Sequence, residues 1–186
     1  QAGDRAGARG AIERQLGLLE EAAARARAPE AAATFDYARM NAYLTLGRGA
    51  EAVAMLSERV QELPEGYEPW ARLAQALAAL GRSREARGPA TKAVELSYGP
   101  RKLRYLELQA RLFRAVGDGG AERRALEVLV QTYLDLDESH RRHPAQLRVE
   151  GIGFSAISGA NRLIAFVGAC SWDHDAPSLA AREGAG

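Results

Sequence analysis

Residues 67–96 read YEPWARLAQALAALGRSREARGPATKAVEL, and this stretch decides the fold. Trp70, Leu73, Ala74 and Leu77 recur at helical spacing, and the run breaks at Leu80-Gly81. A second run carries Glu85-Ala86 through Ala90 and Ala93 to Leu96. Apolar residues three and four apart share one face of a helix, and a glycine just after the last of them marks its end. Two helices joined by a tight turn are predicted. Pro69 falls in the first turn of the first helix, where its missing amide costs nothing. Gly88-Pro89 falls inside the second helix. Proline there removes a backbone hydrogen bond and crowds the preceding turn, so a kink near Gly88 is expected.

The same pattern occurs once before and once after. Upstream, residues 30–46 and about 50–63 form a pair around the turn Gly47-Arg48-Gly49, and Pro64-Glu65-Gly66 punctuates its end. Leu46 and Leu80, Gly47 and Gly81, Arg48 and Arg82, Glu51 and Glu85, and Ala52 and Ala86 are each 34 apart. Downstream, residues 100–116 and about 120–136 make a third pair carrying Leu106, Ala110, Phe113 and Val116-Gly117. Its turn, Gly117-Asp118-Gly119-Gly120, reads as longer, because Ala125 lies eight after its glycine whereas Ala86 lies five after Gly81.

Residues 3–28 hold a helical stripe of Ile12, Leu16, Leu19, Ala23 and Ala26, with Asp4 as the expected N-cap. Gly3, Asp4, Ala11 and Glu13 align with Gly117, Asp118, Ala125 and Glu127 at a constant offset of 114. The opening helix is therefore expected to be the second half of a repeat whose first half is missing. A lone capping helix is the alternative. The chain starts at Gln1 without a methionine or an apolar leader, which reads as a processed protein or an excised fragment.

A 34-residue helix-turn-helix period with these residues resembles the tetratricopeptide repeat family in its bacterial form. That family's signature is W-x₂-L-G-x₂-Y, then A-x₃-F, then P. Trp70, Leu73 and Ala74 match its first helix, with Leu77 at the tyrosine position; Ala86 matches its second helix, with Ala90 in place of phenylalanine. The earlier copy keeps Tyr43, Ala52, Leu56 and Pro64 but has Asp36 where tryptophan is usual. The resemblance implies an all-α chain, a right-handed superhelical solenoid of about three helix pairs with flanking helices. Residues 1–28 would be the truncated repeat, 29–136 the repeats, and 137–186 a capping segment and tail.

Composition agrees with that class. Hydrophobic residues make up 47% and charged residues 26%, and the formal charge of +1 provides no general basic field for nucleic acid. Cys170 is the only cysteine, so no intrachain disulfide and no C-x-x-C motif for redox chemistry or zinc is possible. A lone cysteine suits the cytosol without assigning it. Residues 151–170 are apolar but interrupted by glycines, serines and Asn161-Arg162, a poor membrane span. Residues 160–169 are expected to form a helix covering the end of the stack, with an extended piece around Ile152 and a loose tail from Ala176.

Three groups touch on chemistry. Gly153-Phe154-Ser155-Ala156-Ile157 approaches the G-x-S-x-G nucleophile elbow but lacks its last glycine. Cys170, Asp173, His174 and Asp175 crowd one expected loop, and His140 and His143 flank Arg141-Arg142. Metal ligands normally converge from rigid elements, so a solvated turn and a polar helix end are the simpler readings. No catalytic residue, metal or cofactor is expected.

In the family the first helix of each pair lines a concave groove. Carried over by position, that groove would present Tyr37, Asn41 and Leu44, then Arg72 and Gln75, then Arg104, Glu107 and Arg111. Arginine forks and amides suit an extended peptide or protein segment, particularly one with carboxylates. Asn41 falls where carboxylate-clamp members carry asparagine. The accompanying lysine is replaced by Tyr37, which argues against chaperone-tail binding in that mode.

The resemblance thus implies a non-catalytic scaffold for protein–protein interaction. A second expectation is the repeat tail of a larger enzyme, because the join at residues 96–106 resembles repeat segments attached to bacterial thioredoxin-like proteins; any redox chemistry would then lie upstream. A third is self-association through the apolar residues 152–167.

Overall fold

The computed structural model describes residues 2–136. They form eight helices: α1 (Ala2–Arg25), α2 (Pro29–Ala33), α3 (Asp36–Thr45), α4 (Gly49–Glu62), α5 (Tyr67–Ala79), α6 (Ser83–Leu96), α7 (Arg101–Ala115) and α8 (Gly119–Leu134). Among the described residues the chain is all-α. The readings made for residues 137–186 lie outside them: the nucleophile-like serine, the Cys170 and histidine groups, the covering helix and the self-association segment.

Three hairpins repeat one turn. Leu46-Gly47-Arg48 joins α3 to α4, Leu80-Gly81-Arg82 joins α5 to α6, and Val116-Gly117-Asp118 joins α7 to α8. Each glycine is left-handed, with φ of +76°, +72° and +77°. The amide after each glycine donates back to the preceding helix: Arg48 to the Tyr43 carbonyl at 2.8 Å, Arg82 to Leu77 at 2.9 Å, and Asp118 to Phe113 at 2.9 Å. The glycine amides themselves reach Leu44, Ala78 and Arg114. This is the Schellman cap, which satisfies helix-end carbonyls and reverses the chain. At Gly81 an added Cβ would meet nothing within 4 Å, so only backbone strain opposes a side chain. Gly81→Ala is expected to lower unfolding stability by about 1–2 kcal/mol, read as a lower urea midpoint at unchanged slope.

Sequence neighbours are neighbours in space. The helices of each hairpin pack together, α4 packs on α5 and α6 on α7, and the first helices α3, α5 and α7 touch in succession. The core holds Met40, Tyr43, Leu56, Val60, Leu73 and Leu77, with Ala52, Ala74, Ala76, Ala86 and Ala90 almost fully buried between helices. Small side chains there allow close helix approach, and the larger ones fill the space between. The second glycine of the first turn has a similar role. Gly49 is buried, and a Cβ on it would lie 2.4 Å from Leu80, which the next hairpin seats there.

Several expectations need correction. The helix predicted over residues 30–46 is divided at Thr34-Phe35, where the amides bond three residues back, to Ala31 at 3.3 Å and Ala32 at 3.1 Å. The Ala33 carbonyl takes a side-chain donor instead, Arg72 Nη1 at 2.8 Å. The third turn is no longer than the others. Asp118 caps α8 by accepting the Ala121 amide at 3.0 Å, so Gly119 and Gly120 are drawn into the first turn of the helix. At the N-terminus α1 already includes Gly3 and Asp4, so Asp4 is not its cap. α1 packs on α2 and α3, anchored by the fully buried Leu16. In α6, by contrast, Pro89 lies inside the helix as the sequence predicts.

Candidate partner-binding face

The left-handed glycines provide a common register for the three first helices. Six residues before each stands a polar side chain: Asn41 on α3, Gln75 on α5 and Arg111 on α7. Asn41 and Arg111 are exposed and Gln75 is half-buried. None of the three makes a side-chain hydrogen bond or ion pair among the described residues. One turn earlier on α3, Tyr37 is half exposed to water (50%). Arg104 lies two turns before Arg111 on α7, exposed and likewise without a side-chain partner among the described residues, and Glu107 between them is half-buried. Tyr37 with Asn41, and Arg104 with Arg111, fall at helical spacing on one face of their helices. Amides and guanidinium groups at matched positions on successive helices can hydrogen-bond the backbone and carboxylates of one chain laid across them.

Arg72 is placed differently. Its side chain is only 15% exposed, donating to the Ala33 carbonyl and, at 3.2 Å, to Glu68 Oε2. It ties α5 to the divided start of the first pair and orients the helices from inside. No local signal reveals this, because the acceptor is a backbone carbonyl 39 residues away.

A buried ion group anchors the same region. Asp36, adjacent to Tyr37, is fully buried. Arg59 of α4 donates from Nε to its Oδ2 at 2.7 Å and from Nη2 to its Oδ1 at 3.5 Å, and Arg39 Nη1 reaches Oδ1 at 3.4 Å. Arg59 also holds Glu62. Burial works against the Arg59 charge, but the hydrogen bond and charge of Asp36, with Glu62, outweigh it and raise its pKa. Thirty-four residues on, the corresponding positions hold Trp70 and Ala93. Ala93 is buried and Trp70 half-buried, with its indole N–H donating to the Pro64 carbonyl at 2.8 Å. At these equivalent positions the first pair carries an ion pair and the next a large aromatic and a small apolar residue.

Tyr43 ties α3 to α1. Its hydroxyl donates to Glu20, and the Arg48 guanidinium lies over its ring, 5.1 Å from the centroid. Burial, and then the Glu20 hydrogen bond and charge, raise the Tyr43 pKa. The neutral phenol is favoured in the folded state, so its contribution is whole below the ordinary tyrosine value of about 10 and is lost as pH rises through the folded value. Wild type is expected to lose more stability than Tyr43→Phe between about pH 9 and 11.5, measured as urea midpoints across that range. Parallel losses would remove Tyr43 from the alkaline response.

Among the described residues no group of three or more His, Cys, Asp or Glu is placed to hold a metal ion. Nor is any helix among them long and apolar enough to cross a membrane. Compared with known proteins, the chain matches no family model, no curated protein and no solved structure.

Proposed function

We propose that the chain is a non-catalytic binding scaffold, a right-handed solenoid of three tetratricopeptide-like helix pairs that holds an extended peptide across α3, α5 and α7. One observation carries this reading: Asn41, Gln75 and Arg111 occupy equivalent positions on the first helices of three successive hairpins, accessible to water and without intramolecular side-chain partners among the described residues. Residues that only solubilise a helix need no common register. The Schellman-capped hairpins supply the rigidity, so little ordering entropy would be lost on binding. Tyr37 and Arg104 extend the face at either end, and Arg72 positions it from below.

The test is affinity capture from the source cell extract with the wild type and with an Asn41→Ala/Gln75→Ala/Arg111→Ala variant. Two amide hydrogen bonds and one charged one amount to roughly 3–5 kcal/mol, so the variant is expected to lose its specific partner by about 100-fold or more. Its helical circular dichroism and melting temperature are expected to match the wild type. Capture of the same partner at the same yield would refute the assignment of this face.

A further inference from the structure

At the edge of the stack opposite the three hairpin turns, the start of α2, the α4–α5 connection, the start of α5 and the end of α6 surround a cleft of about 580 Å³. That volume is ordinary for a ligand site. Leu63, Pro69 and Leu96 contribute apolar surface to it, and Tyr67 and Tyr98 present aromatic rings. Four carboxylates complete it, Glu30, Glu62, Glu65 and Glu68, and no lysine or arginine lines it among the described residues.

Part of this lining is explained by the fold. Glu62 pairs with Arg59, and Glu68 with Arg72 and Arg101. Tyr67 accepts a hydrogen bond from Arg101 at 2.6 Å and packs against Tyr105 with ring centroids 5.6 Å apart. The remainder is not used by the fold. Glu30 and Glu65 are exposed and make no side-chain hydrogen bond or ion pair among the described residues. Tyr98 is 77% exposed, held edge-on to Tyr67 at 6.1 Å between centroids. Two unneutralised carboxylates and a solvent-facing aromatic ring therefore border one apolar cleft in a chain whose formal charge is +1.

We propose that this cleft is a second docking site, separate from the α3–α5–α7 face, for an arginine-bearing segment of another protein. Charge complementarity selects a cationic occupant. The chemistry selects arginine over lysine: its methylene stem covers the apolar surface, its planar guanidinium stacks on a tyrosine face, and its fork bonds a carboxylate in two places. Glu30 and Glu65 receive the guanidinium groups, and the exposed ring of Tyr98 offers them a stacking face.

The test is fluorescence anisotropy of a labelled hexa-arginine peptide titrated with the whole chain at physiological salt. Wild type is expected to bind hexa-arginine at least fivefold more tightly than hexa-lysine. Glu30→Gln/Glu65→Gln is expected to weaken hexa-arginine binding by about tenfold or more, and Tyr98→Ala by about fivefold. Glu13→Gln/Glu58→Gln, which removes the same charge from exposed helix faces elsewhere, is expected to change it less than twofold. The Asn41→Ala/Gln75→Ala/Arg111→Ala variant is expected to bind it as wild type does, so failure at this cleft and failure of the binding face are distinguishable. Absence of binding by wild type, equal losses in the cleft and control variants, or equal affinity for hexa-lysine would each overturn the proposal.

Discussion

Replacing Asp36 with alanine is expected to destabilise the protein by about 3–5 kcal/mol, as is replacing Arg59. The pair is buried, with Asp36 wholly inaccessible and the Arg59 side chain 9% exposed. Removing Arg59 leaves the buried Asp36 with only Arg39 at 3.4 Å, and removing Asp36 leaves Arg59 with only the exposed Glu62, so each variant keeps a poorly compensated charge away from water. Removing both together has a different outcome. Trp70 and Ala93 stand at the same positions of the following pair, so Asp36→Trp/Arg59→Ala introduces the apolar residues that the chain carries there. A buried ion pair exchanged for apolar residues that fill the space is often neutral or stabilising. The double variant is accordingly expected to recover most of the loss of either single variant, and its introduced indole adds a fluorescence probe of that junction. Urea unfolding of Asp36→Trp, Arg59→Ala and the double variant measures this as a coupling free energy. Additive losses would mean that the ion pair holds the helices in a geometry that tryptophan cannot.

Pro89→Ala is expected to act in the opposite direction, raising stability by as much as about 3 kcal/mol. Pro89 stands at the seventh position of α6, beyond the first turn where a missing amide is harmless. It leaves the Glu85 carbonyl without its helical donor and sets its ring against that turn. Gly88 makes the arrangement possible. Proline clashes with the Cβ of a helical residue before it, and glycine has none. The two positions should therefore be coupled. Gly88→Ala is expected to destabilise while Pro89 is present and to stabilise by about 0.5–1 kcal/mol once Pro89 is alanine. Nothing crowds the site otherwise, since a Cβ at Gly88 would find no atom within 4 Å. A higher urea midpoint at unchanged slope is the readout for Pro89→Ala. A lower midpoint would mean that packing of the half-buried ring outweighs the lost hydrogen bond.

The residues that were hard to read share a physical character. Arg72 matched the expected position of a surface arginine, and its helix was assigned correctly, yet its acceptor is the Ala33 carbonyl at a break in another helix. Asp36 was visible as a departure from the tryptophan of the next pair, but its partner Arg59 lies 23 residues on, and nothing between them signals the contact. The comparison of the two pairs held the missing signal. Where one has Asp and Arg, the other has Trp and Ala at the same offset. The third turn misled for a local reason, because two extra glycines resemble a longer loop until a capping aspartate draws them into the helix.

Residues 67–96 and their copies determined by themselves the all-α class, the helix pairs and the three reversals. Those features depend on interactions within a few residues: side-chain periodicity, the left-handed freedom of Gly47, Gly81 and Gly117, and proline in a first turn. Only the tertiary structure decided which polar residues remain free to meet a partner. Asn41, Gln75 and Arg111 keep their side chains unpaired among the described residues, while Arg72 and Asp36, equally polar in the sequence, are consumed in holding helices together. Whether a charge is used inside the fold depends on which distant atoms packing brings within hydrogen-bond reach, and local periodicity carries no record of that distance.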